Sequence, residues 1–143
     1  MSAASQPTMQ TETSATSLSK ASIWAGRIIS GFITAFMIFD GVIHILRPAP
    51  VVEGFAKLHF PLRFAVPLAI IELVCLLLYV IPRTSILGAI LLTGYYGGAV
   101  AIQMPTGNSL FGEILFPVYF GILLWAGIYL RDESLRALIP FRR

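Results

Sequence analysis

The chain has 143 residues, of which 57% are hydrophobic and only 12% charged, with a mean hydropathy of +0.82. That balance excludes a soluble domain, and the length leaves room for one membrane-embedded unit with little outside it. The formal charge of +3 comes from basic residues gathered at the ends of apolar runs, which reads as membrane topology rather than as a polyanion-binding surface, so no nucleic-acid partner is expected.

Residues 1–22 are rich in Ser, Thr, Ala and Gln, with Glu12 and Lys20 the only charges. Such a composition cannot offset the entropy of ordering and predicts a disordered tail. It is not a cleavable signal: a basic start is missing and the apolar run that follows is too long for an h-region, so that run is expected to stay and to direct insertion. The first span runs over Ile23–Leu46 and stops before Arg47-Pro48-Ala49-Pro50, where proline forbids regular continuation. Arg27 lies near its start and can snorkel to the head groups. The connection from there to Arg63 is the longest, and Val51, Val52, Phe55, Leu58 and Phe60 alternate in it with polar residues. This mixture predicts an interfacial amphipathic turn over the mouth of a bundle.

The second span covers Phe64–Ile81 and the third Ser85–Met104, joined by the turn Pro82-Arg83-Thr84-Ser85. The fourth, Phe111–Leu130, follows Pro105-Thr106-Gly107-Asn108, a cluster of turn-forming residues. Each run approaches the roughly 20 apolar residues that cross a bilayer. Short connections make successive helices antiparallel neighbours. The expected fold is therefore all-α: an integral membrane four-helix bundle, up-down-up-down, over residues 23–140. Lys20, Arg27, Arg83, Arg131, Arg136, Arg142 and Arg143 fall on one side, and Arg47, Lys57 and Arg63 on the other. The positive-inside rule then puts both termini in the cytoplasm of a multi-pass inner-membrane protein, with the lipid bilayer as its first partner.

Within the spans, Gly94 and Gly98 stand four apart, and Gly97 with Ala101 makes a second ridge of small residues beside them. Small residues let backbones approach closely in lipid, so this face is expected to pack against another helix of the bundle. Tyr95 and Tyr96 flank it, and one hydroxyl must turn inward to find a partner. Trp24, Tyr79, Trp125 and Tyr129 fall toward span ends, as interfacial aromatics do. Pro67 and Pro117 lie inside spans two and four, where each is expected to kink its helix. Cys75 is the only cysteine, which excludes a dithiol relay within the chain and reads as a small apolar packing residue.

Three ionisable residues lie inside apolar runs: Asp40 and His44 in the first, Glu72 in the second. Each costs at least about 2.5–3.5 kcal/mol in a membrane unless it faces protein, pairs or serves function. Asp40 and His44, four apart, share one helical face. Asp40 precedes the outer end of its helix by roughly 9 Å, and Glu72 follows the start of the next by roughly 12–15 Å. Antiparallel packing brings the three to one depth in the outer half, where His59 and Glu53 of the outer loop and Gln103 of the third span can cap them. Three readings stand: a satisfied polar network that fixes helix pairing, a binding or proton-handling site for an amphipathic molecule such as a quinone, and a metal site from His44, His59, Asp40 and Glu72. The last lacks a tight ligand motif, so no metal ligands are assigned. No nucleotide loop, hydrolase elbow, haem-attachment or zinc-protease motif occurs, and no catalytic residue is assigned.

The stretch LLYVIPRTSILGAILLTGYYGGAVA, Leu77–Ala101, resembles the central signature of the DoxX-like membrane proteins, above all in its PRT-x-x-x-GA turn and TGY-x-GGA run. LLWAGIYLRDESLRALIP, Leu123–Pro140, is similar to that family's exit from the fourth helix. Asp40-Gly41-Val42 with His44, and Leu58-His59-Phe60-Pro61, match its first helix and the following loop. The resemblance implies a four-helix membrane protein of a family named after a subunit associated with thiosulfate:quinone oxidoreduction. Some relatives resemble membrane partners in redox-stress complexes, and an animal branch resembles receptor-assembly chaperones. The implied roles are an accessory subunit of a quinone-linked system with a redox-protein partner, or a non-enzymatic scaffold. The wider fold is similar to quinone-coupled thiol oxidases, but Cys75 alone departs from their chemistry.

Overall fold

Six helices follow one another in the computed structural model, which describes residues 18–138. They are α1 (Lys20–Leu46), α2 (Ala49–Lys57), α3 (Ala65–Val80), α4 (Ser85–Gln103), α5 (Phe116–Arg131) and α6 (Glu133–Leu138). Short 3-10 turns at Leu62–Phe64 and Met104–Thr106 extend α3 and α4, and a π-turn at Leu110–Ile114 precedes α5. Four stretches are long and apolar enough to cross a membrane: Lys20–Leu46, Leu62–Val80, Ser85–Thr106 and Leu110–Arg131. Only 22–33% of each is buried within the protein, so most of their apolar surface is left for lipid. The tail expected over residues 1–22 lies outside the described residues as far as residue 17. The first helix starts at Lys20, three residues earlier than expected, because the Ser19 side chain accepts a hydrogen bond from the Ser22 amide and caps it.

The four spans form a closed ring in which α1 packs on α3 and α5, and α4 packs on the same two from the opposite side. The face that α1 buries, Gly26, Ser30, Ile33, Met37 and Gly41, follows the three- and four-residue spacing of a helical stripe. One half of the ring is tight. A side chain at Gly26 would meet the Gly127 carbonyl oxygen at 2.8 Å, and one at Gly127 would meet Ser30 Oγ at 2.6 Å. A Cβ on Gly88 would run into the backbone of Tyr79. These three glycines let α1, α5, α3 and α4 close around Tyr79, which is fully buried and donates its hydroxyl to Ser30 Oγ at 2.9 Å. The Arg131 guanidinium lies 5.4 Å from the Tyr79 ring centre. Arg136 straps the same end, bonding the Tyr129 carbonyl and Ser22 Oγ.

The other half is open. Every buried residue of α4 precedes Thr93: Ser85, Gly88, Ala89 and Leu92. Beyond that point the Gly94–Gly98 and Gly97–Ala101 ridges do not meet another helix of the chain. A Cβ on Gly94, Gly97 or Gly98 would find nothing within 4 Å, and Ala101 is exposed. The small-residue rule identified glycines that bare the backbone, but the helix-to-helix contacts fall on Gly26, Gly88 and Gly127, which carry no four-residue repeat along one helix.

Proline acts differently from the expected mid-span kinks. Pro67 lies in the first turn of α3, where no amide partner is lost, and Pro117 lies in the first turn of α5. The fourth span is instead broken ahead of Pro117, where the π-turn ends at Ile114. The connection between the first two spans holds a full helix rather than a turn. Pro48 and Pro50, read as terminators of α1, also open α2, since proline is tolerated in a helix's first turn. Val51 and Phe55 of α2 pack with Ala65 into a small second core.

Replacing Gly88 with Ala should force α3 from α4 and lower thermal stability in detergent by about 1–3 kcal/mol. Gly94→Ala, at an open helical site, should be neutral or stabilising by up to about 1 kcal/mol. Equal effects of the two would contradict the tight-half, open-half arrangement.

Candidate functional site

The open half encloses a cavity of about 370 Å³, within the range of small-molecule sites. All four spans and the α2 connection reach it. α1 supplies Asp40 and His44 one turn apart, α3 supplies Glu72, and α4 supplies Tyr95 and Gln103. Glu72 faces inward because it continues the α3 stripe of Ala65, Ala69, Cys75 and Tyr79, and it is 2% exposed. A carboxyl at that burial must be satisfied by protein. Tyr95 does so, donating its hydroxyl to Glu72 Oε2 at 3.0 Å. The Asp40 and Glu72 carboxyls are close enough to act on one another, helped by Gly41, where α1 comes so near α3 that a Cβ would meet Leu73 at 2.9 Å.

His44 is held by its own helix. Nδ1 lies 2.8 Å from the Asp40 carbonyl oxygen and 3.1 Å from Asp40 Oδ2. Both are acceptors, so the Nδ1 proton is committed to Asp40, and among the described residues Nε2 has no hydrogen-bond partner. Two bonded pairs thus lie along one wall, His44 with Asp40 and Tyr95 with Glu72, the two carboxyls being neighbours.

The remaining walls are largely apolar, with five phenylalanines among them. Phe36 and Phe120 lie with ring centres 4.4 Å apart, and Phe116 stands 4.9 Å from Phe120. At the α2 end Phe55 meets the His44 ring edge-on at 5.8 Å and Phe60 at 5.9 Å. α2 thereby caps the cavity with an apolar ring. The site is a small polar patch in a box of flat apolar faces, suited to a planar molecule with oxygen atoms at its rim.

Of the sequence-derived candidates, Asp40, His44, Glu72 and Gln103 line this one cavity, and so do Gly94 and Gly98 of the small-residue ridge. His59 does not. It is exposed and adopts a left-handed conformation at φ 52 as the chain leaves α2, so Leu58 and Phe60 turn inward on either side of it. Glu53 is also exposed. A metal set that included His59 loses that ligand, and among the described residues no three His, Cys, Asp or Glu side chains gather tightly enough to hold an ion. Sequence reasoning asked one tyrosine to turn inward. Both do, since Tyr96 donates to Met37 Sδ at 3.1 Å. The aromatic walls gave no sequence signal, because phenylalanine is equally at home facing lipid.

Tyr95→Phe should strip a buried carboxyl of its donor and lower stability by about 1–3 kcal/mol, whereas Tyr96→Phe removes a bond to a weak thioether acceptor and should cost less. Thermal unfolding of the two variants in one detergent separates them.

The family pattern of the DoxX-like family matches residues 28–127, which takes in α1 beyond its first turns, the α2 cap, α3, α4 and most of α5. No curated protein and no solved structure matches the chain. The chain belongs to the DoxX-like family and is a membrane protein with four candidate spans.

Proposed function

From its place among the DoxX-like proteins, we propose that this protein is an accessory subunit of a quinone-linked redox system and holds a quinone, or a lipid of similar shape, in the cavity. The observation that carries the reading is Glu72, a carboxyl 2% exposed inside a span, gathered with Asp40, His44 and Tyr95 on one wall of an otherwise largely apolar cavity. Such a group is expensive in a membrane and is kept where it serves a pathway or a ligand.

Reduction of a quinone to a quinol takes up two electrons and two protons. One cysteine cannot cycle as a dithiol, so the electrons are assigned to a partner protein. The protons are assigned to this chain: the Glu72 and Asp40 carboxyls and the His44 ring exchange them with the quinone oxygens, while the phenylalanine faces hold the ring and exclude water. No residue is named as catalytic in its own right.

The proposed setting is the inner membrane, with spans running up-down-up-down and residue 20 and residue 138 both on the cytoplasmic side. The count of basic residues supports it, as does the cluster of Arg131 and Arg136 at the tight end, away from the cavity. A reporter active only in the cytoplasm should work when fused after α6, and an export-dependent reporter should work when placed in the α2 connection. The reverse pattern overturns the orientation.

The rival reading, a non-enzymatic scaffold, draws on the same cluster being internally bonded, Glu72 to Tyr95 and His44 to Asp40. Purification in lipid nanodiscs with mass spectrometry of co-eluting molecules separates the two. The quinone reading expects a stoichiometric quinone that Glu72→Ala or Asp40→Ala loses while helicity by circular dichroism is kept. A ligand retained in both variants, or only bulk lipid in the wild type, favours the scaffold.

A further inference from the structure

A second depression lies on the lipid-facing side between α4 and α5, about 480 Å³ in volume. Its floor is opened by two glycines, Gly97 and Gly121, and its sides include Val100, Val118 and Ile122. Three side chains in it can hydrogen-bond, and all three are already engaged. Trp125 Nε1 donates to Thr93 Oγ1 at 2.9 Å, the Thr93 hydroxyl donates to the Ala89 carbonyl at 2.7 Å, and Tyr96 donates to Met37 Sδ. The groove therefore offers nothing to a polar head and suits a flexible hydrocarbon.

Its position gives that hydrocarbon an origin. Tyr96 and Pro117 line both this groove and the polar cavity, so the two spaces are separated by a shared wall. The wall is light. The Tyr96 ring rests where a Cβ on Gly121 would be only in ordinary contact, at 3.7 Å, and its hydroxyl is held by a thioether, a weak acceptor. Pro117 sits just after the break in the fourth span, where it offers no amide to the preceding turn and the Tyr119 hydroxyl bonds the Phe111 carbonyl instead.

We infer that the groove between α4 and α5 takes the apolar tail of a single-tailed amphiphile whose head occupies the polar cavity, with Tyr96 as the gate between them. The inference rests on the cavity being a head-group site, as proposed above, and adds the ligand's class: a head bearing oxygen atoms on one linear hydrocarbon chain, entering sideways from the bilayer. It also accounts for the unpacked Gly97, since any larger side chain there would fill the tail's path.

Gly97→Leu tests this without threatening the fold. The site is open within 4 Å, and replacing a helical glycine favours the helix. Binding is measured in nanodiscs with two probes, 2,3-dimethoxy-5-methyl-benzoquinone without a tail and the same ring carrying a decyl chain. The wild type should bind both. Gly97→Leu should weaken the decyl probe by about tenfold or more and leave the tailless probe unchanged. Gly31→Leu, at an equally open site on α1, should change neither. Unaltered decyl binding, equal loss of both probes, or a change of oligomeric state in Gly97→Leu overturns the tail path. Wild-type protein that binds neither probe shows instead that the head-group reading has failed, and the tail path falls with it.

Discussion

Everything in this bundle depends on how closely four helices can approach around Tyr79. Gly26, Gly88 and Gly127 remove the side chains that would stand between α1, α3, α4 and α5, and the Tyr79 hydroxyl reaches Ser30 across the gap they leave. In lipid there is no hydrophobic force to press helices together, so close dispersion contact and an internal hydrogen bond must hold them. With one end locked, α4 buries no residue beyond Leu92, and past it Tyr95 and Tyr96 reach across to Glu72 and Met37. The cavity is the space around them.

A void in a membrane protein is tolerated if it is filled, and the residues around this one set the terms. Glu72 needs a donor and receives one from Tyr95, and His44 is held by Asp40. The two pairs meet where Gly41 draws α1 onto α3. The polar patch is thus largely bonded within itself, and the Nε2 of His44 has no partner among the described residues. Phenylalanines close the remaining sides, and α2 brings Phe55 over the top. The same helix shows how little free loop the protein retains: a connection that reads as a turn is folded over the mouth and anchored by Val51 and Phe55.

The two depressions share Tyr96 and Pro117 but differ in chemistry. One collects the ionisable residues of the spans, and in the other every polar side chain is already bonded. That contrast matches the two ends of an amphiphile, and it places the α4 glycines in a new role. Gly97 opens onto the apolar groove, and Gly94 and Gly98 onto the polar cavity.

The amino-acid sequence by itself determined the number of spans and their limits to within a few residues, because hydropathy and turn residues are local properties that lipid enforces directly, and its motifs carried the family resemblance. It also picked out Asp40, His44, Glu72 and Gln103, since an ionisable or amide group in an apolar run stands out whatever surrounds it. Tertiary structure alone decided which glycines touch. Gly94 and Gly98 have the spacing of a packing motif and meet nothing, while Gly88 and Gly127 have no four-residue glycine spacing and carry the contacts. It alone turned His59 outward, through a left-handed backbone at the end of α2, and chose which phenylalanines face the cavity rather than the bilayer. The physical reason is the solvent. In water, burial leaves a polar and apolar stripe that can be read along a helix. In lipid both faces are apolar, and the inward one is fixed only by which helices meet.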